Sequence, residues 1–245
     1  MADLRAAPFS PLVRGAASAA GTALGVTFAV VAGLRRSKPL HPVGSVASAV
    51  LTVTPAVDRS GSPLLDEPGD HDCVVRASWA VGSGPELPDI EGLAMRVLDA
   101  GADARPVDIL FASTGTGPLT RYVLAVRTPG GHAGQTTLLP VRSAGRPLEL
   151  RLDPVDADSQ PWPTRYELSW AHGRGAWNLF GVLEVAWHGT ADAPERFDPV
   201  ANPLPGTCQY AAVAALREPA YHFARLARPS AGRLPTATER RGASR

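Results

Sequence analysis

Three sets of side chains in this sequence have types and spacings suited to chemistry. His41 stands in the run Lys38-Pro39-Leu40-His41-Pro42-Val43-Gly44. Two prolines stiffen the backbone around its imidazole, and Gly44 permits close approach of another group. A histidine held this way before a strand is placed to move a proton near neutral pH. Arg76 and Ser78 lie two apart in Val74-Val75-Arg76-Ala77-Ser78-Trp79. In a strand they share one face, and Val75, Ala77 and Trp79 share the other. A guanidinium there suits a buried anion, and a hydroxyl suits a nearby imidazole; the alternative is a plain solvated face. Arg217 and Tyr221 are four residues apart in a helical stretch, so they meet on one face. A guanidinium beside a phenol favours phenolate, a hard oxygen ligand for ferric iron. Arg228 follows about two turns further along that face.

Other chemistries lack their signatures. GxSxG, HExxH, GxxxxGK[ST] and GxGxxG are all missing from the chain. The glycine-bearing stretch 82–92 carries Glu86, Asp89 and Glu91, whose charges oppose phosphate. Net charge is +1 over 245 residues, so no polybasic field points to nucleic acid. Cys73 and Cys208 form no CxxC and cannot supply a four-ligand zinc site. His71 reads as part of a polar loop, His132 as part of a glycine-rich turn, and His172 and His188 as solvent-facing strand ends.

The elements that position the three sets are mostly strands. Apolar or alternating runs at 46–57, 73–81, 92–98, 107–111, 148–152, 165–170 and 178–187 read as seven strands separated by Gly- and Pro-bearing turns. Residues 192–207 are Pro-rich and irregular, and 209–228 read as a helix that Pro219 interrupts. Residues 15–34 carry no charge, a length that would span a bilayer, yet Ala, Gly, Ser and Thr fill much of the run. An Ala-rich helix lying against the domain is favoured over a membrane anchor. The organisation expected is an arm over 1–37, a β domain over 38–228 and a disordered, Arg-rich tail over 229–245. The fold class is α+β, mainly β: an antiparallel β-sandwich or β-barrel with an N-terminal and a C-terminal helix, of which the family resemblance given below implies the barrel.

In this order, the three sets resemble the haem catalase superfamily, and within it the small catalase-related peroxidase group. His41-Pro42-Val43-Gly44 matches the histidine and glycine before the first barrel strand. Val75-Arg76-Ala77-Ser78 matches V-R-x-S. Asp89-Ile90-Glu91-Gly92-Leu93-Ala94-Met95-Arg96 matches a D-x-x-G-x-A segment with a basic residue two positions on, and Asp108-Ile109 matches an Asp-Leu pair. Arg217, Tyr221 and Arg228 match the proximal R-x-x-x-Y motif and its later arginine. The match covers about 41–120 and, separately, 217–228.

The resemblance implies a haem b cofactor with Tyr221 on iron and Arg217 holding the phenolate. It implies Lys38, Arg76 and Arg228 on the propionates, His41 as proton carrier and Ser78 orienting its ring. Catalases have an Asn where this chain reads Ala112-Ser113-Thr114-Gly115, so Thr114 or Ser113 is the expected substitute for it. Catalases also carry Arg where Lys38 stands, which removes the bidentate fork. The partners implied are hydrogen peroxide or an organic peroxide and a small-molecule reductant, in a cytoplasmic protein that does not bind nucleic acid and has scope for homo-oligomers. Three alternatives stand beside this: a degenerate barrel holding a lipid or hydroperoxide, a phosphodiesterase-type hydrolase, and a membrane-tethered interaction protein.

Overall fold

The computed structural model describes residues 44–80, 87–128, 130–158, 161–187 and 196–210. Among them the chain forms ten strands: β1 (Gly44–Val53), β2 (Gly69–Trp79), β3 (Glu91–Val97), β4 (Val107–Ser113), β5 (Gln135–Thr136), β6 (Val141–Ser143), β7 (Arg146–Pro154), β8 (Arg165–His172), β9 (Asn178–Trp187) and β10 (Thr207–Gln209). A one-turn helix, α1 (Pro63–Asp66), links β1 to β2. All seven expected strands are present. The expected helices over 15–34 and 209–228, the arm and the tail fall outside the described residues, apart from Gln209 and Tyr210.

Pairing runs β7-β5-β4-β3-β2-β1-β9-β8, and β8 pairs back to β7, so eight antiparallel strands close into a barrel. β6 and β10 extend the sheet along the free edge of β7. The β6–β7 turn is two residues long, Ala144 (φ 47) and Gly145 (φ 78). Positive φ at both positions suits a tight hairpin, and glycine adopts it without cost.

Closure sorts each strand into an inner and an outer face. Ala47, Val75, Met95 and Ile109 lie side by side across β1 to β4 in one inward row. Ala49, Cys73, Val97 and Val107 form the next. With Leu51, Leu93, Phe111, Leu152, Leu168, Phe180 and Leu183 they fill the barrel, none more than 5% exposed. Among the described residues this part of the interior is a packed apolar core, which leaves the outer wall as the surface for a large ligand.

Burial also separates the two thiols. Cys73 is in the core, and desolvation pushes its pKa up to about 12, while Cys208 on β10 is exposed. A thiolate reagent should therefore titrate one cysteine in the native protein and two in denaturant. Two equivalents reacting at the same rate before unfolding would contradict this packing.

Candidate functional site

The outer wall of β1 to β4 carries Arg76 and Ser78 on one face, as their spacing predicts. Register sets three rows across these strands. Gly44, Ser78, Gly92 and Ala112 form the first, a strip of small residues. Val46, Arg76, Ala94 and Leu110 form the second. Ser48, Val74, Arg96 and Asp108 form the third. Phe197 packs on Val46 and Val74, with Ala94 and Leu110 alongside, and so covers the lower part of the wall.

Gly44 is needed where it stands. A Cβ there would meet the Ala77 carbonyl oxygen at 2.7 Å and the Arg76 guanidinium carbon at 2.9 Å. The guanidinium therefore lies across Gly44, three residues after His41. The first row is a strip without bulky side chains, and the Arg76 guanidinium at its edge is of the type that pairs with carboxylates.

The matched residues Arg96 and Asp108 serve a different purpose. Arg96 donates to Asp108 through Nε at 2.7 Å and Nη2 at 2.8 Å, a bidentate pair. Asp108 Oδ2 also accepts from Asn202 Nδ2 and the Asp198 backbone N–H, each at 2.7 Å. Arg96 Nη2 reaches the Arg196 carbonyl, and its guanidinium lies 5.3 Å from the Phe197 ring centre. This clamp holds residues 196–202 against the wall and so sets where Phe197 lands.

Thr114 and Ser113, the expected substitutes for the catalase Asn, both hydrogen-bond within the protein. Thr114 is fully buried, with its hydroxyl 3.0 Å from Thr136 Oγ1. Thr136 Oγ1 donates to the Arg121 carbonyl at 2.8 Å, so the hydrogen between the two threonines comes from Thr114. Ser113 Oγ donates to the Ala125 carbonyl at 2.6 Å and accepts from the Glu91 N–H at 3.1 Å. Both hydroxyls are consumed in anchoring the long β4–β5 connection.

His41, Lys38, Arg217, Tyr221 and Arg228 fall outside the described residues. Of the candidate residues, Arg76 and Ser78 are the pair placed together. The sequence reading missed a histidine. His132, expected in a polar turn, is 6% exposed and lies 2.9 Å through Nδ1 from Glu91 Oε1. Nothing local marks it, because its partner is 41 residues away in sequence. His71 likewise lies within β2 rather than in a loop, half-buried, and desolvation lowers its pKa. His172 is partly buried, not free in solvent, with Nδ1 3.1 Å from the Pro147 carbonyl. Among the described residues no group of three or more His, Cys, Asp or Glu side chains is placed to hold a metal ion. No helix among them is long and apolar enough to cross a membrane.

No family model matches this chain, and no curated protein does. Solved structures do. Catalase A from Saccharomyces cerevisiae superposes with a TM-score of 0.56 at 12% identity, over 82% of this chain and 64% of that one. A bacterial catalase gives 0.57 at 14% identity, over 82% and 60%. A fungal catalase gives 0.51 at 13% identity, over 80% and 61%. The chain thus spans less than two thirds of the length of these catalases. The barrel is a catalase-like fold, and at such identities the likeness concerns the fold.

Proposed function

We propose that this chain is a haem-binding catalase-like protein that acts as a peroxidase on organic peroxides or hydrogen peroxide. The observation that carries the reading is the seating of Arg76 across Gly44, beside the small-residue row, on the outer wall of a catalase-like barrel. The residues present fit a planar, carboxylate-bearing group. The row is built of small residues, and a side chain at position 44 would displace the guanidinium.

When bound, haem supplies a redox-active iron and an aromatic plane against which a peroxide is held. The chain's own residues would do the rest. Tyr221 would hold the iron as phenolate, with Arg217 keeping it ionised. Arg76, Arg228 and Lys38 would neutralise the propionates. His41 would take the proton from one peroxide oxygen at an imidazole nitrogen and return it to the other. Ser78 would fix the ring through its second nitrogen. A small-molecule reductant would complete the cycle. The filled interior argues against holding a lipid inside the barrel, and the platform outside it is where either ligand would lie.

The test is the visible spectrum of the full chain, purified after haem supplementation. A Soret band with ferric phenolate features is expected, and it should be lost or strongly weakened in Tyr221→Phe. A colourless protein that cannot be reconstituted would remove the catalytic reading, and an unchanged band in Tyr221→Phe would remove the ligand.

A further inference from the structure

The interior of the barrel is apolar along most of its length, and one end is not. Trp79, Glu91, Ser113 and Gln135 follow one another across β2 to β5 on the inward face. His132, from the connection before β5, drops into this row and bonds Glu91 at 2.9 Å, with both side chains 1% exposed. Tyr166, on β8, faces the same end, 1% exposed. Burial raises its phenol pKa, and the charge of Glu91 raises it further. Two indole rings close over the imidazole side. Trp79 and His132 have centres 6.4 Å apart, His132 and Trp162 5.6 Å, and Trp79 and Trp162 5.4 Å.

Four polar atoms in this cluster have no protein partner: Glu91 Oε2, His132 Nε2, Gln135 Oε1 and the Tyr166 hydroxyl. Each belongs to a residue that is at least nine-tenths buried. Burying a polar atom without a hydrogen-bond partner is costly, so four in one cluster call for an occupant. Their chemistry says which kind. The Glu91 and Gln135 oxygens accept, the phenol can do either, and the role of the His132 nitrogen follows its protonation. At least two acceptor oxygens in the cluster are therefore without a donor.

We propose that this end of the barrel is a binding site for one small molecule that donates at least two hydrogen bonds. Water and ammonium share that chemistry. Either links Glu91 to His132, Tyr166 or Gln135 and turns a set of orphaned atoms into one network, behind indole rings that exclude bulk solvent. The site faces the inside of the wall whose outside carries Arg76, so it stands whether or not haem binds there.

A high-resolution crystal structure of the full chain tests it, grown without ammonium and then soaked in a thallium(I) salt. A density peak about 2.6–3.2 Å from at least two of the four atoms is expected. A peak with anomalous signal after soaking identifies a cation site of the ammonium class, and one without it identifies water. Tyr166→Phe, with its circular dichroism unchanged, should weaken or lose the peak. No peak in the wild-type protein, or the four atoms found bonded directly to protein groups, would overturn the proposal.

Discussion

His41→Ala should leave haem bound and slow peroxide turnover at least about a hundredfold. The size follows from what the imidazole does and from what else is at hand. Moving a proton between the two peroxide oxygens needs a group that titrates near neutral pH, and the other candidates on this wall do not. A guanidinium and a serine hydroxyl, the groups that Arg76 and Ser78 supply, are not proton carriers of that kind. Ser113 and Thr114 are locked into the β4–β5 connection. His41 stands three positions before Gly44 in the sequence, and Arg76 lies across Gly44. Steady-state turnover with hydrogen peroxide and with an alkyl hydroperoxide, alongside the Soret band and the melting temperature, separates the outcomes. Slow turnover with an intact band assigns proton transfer to His41. An unaffected rate removes His41 from the mechanism, and loss of the band assigns it to haem binding instead.

The long strands were legible because seven or more residues leave a readable alternation. Leu148, Leu150 and Leu152 point inward as their spacing predicts. Glu149 between them is nonetheless fully buried, because the β4–β5 connection covers the outer face there. β5, β6 and β10 were not legible. Two or three residues carry no period, yet two residues of β5 bridge β4 to β7 and close the barrel. Their pairing is a property of the closed sheet and not of their own composition. His132 and Glu91 were hidden for the same reason, since each stands in a stretch whose local composition reads as a polar turn.

The candidate site divides in a comparable way. Arg76 and Ser78 could be placed on one face from period alone, and their rows confirm it. What the period could not say is which face. Position 77 settles it, because Ala77 is 1% exposed in a core row and its neighbours therefore point out. Arg96 and Asp108 were matched as parts of a pattern, and the geometry supplies their physical meaning: a clamp that fixes the segment laid across the platform.

That clamp leads to the largest stability effect expected. Asp108→Ala should cost about 3–5 kcal/mol, since it leaves the Arg96 guanidinium without its bidentate partner and strips two more donors of their acceptor. The Asp108 side chain is fully buried and that of Arg96 is 18% exposed, so solvent replaces little of what is lost. For a domain of this size the melting temperature should fall by roughly 6–20 °C. The loss is not confined to one pair. Asn202 Nδ2 and the Asp198 N–H hold the covering segment through the same carboxylate, so residues 196–202 should become the first point of proteolysis, at Arg196. Asp108→Asn keeps the shape and one acceptor oxygen, but presents N–H groups toward donors, so it should recover only part of the loss. Thermal unfolding of the three proteins, with limited trypsin digestion, decides the matter. A fall of under about 1 kcal/mol in Asp108→Ala would mean that the segment is held by Phe197 packing alone, because such a loss is typical of a surface ion pair.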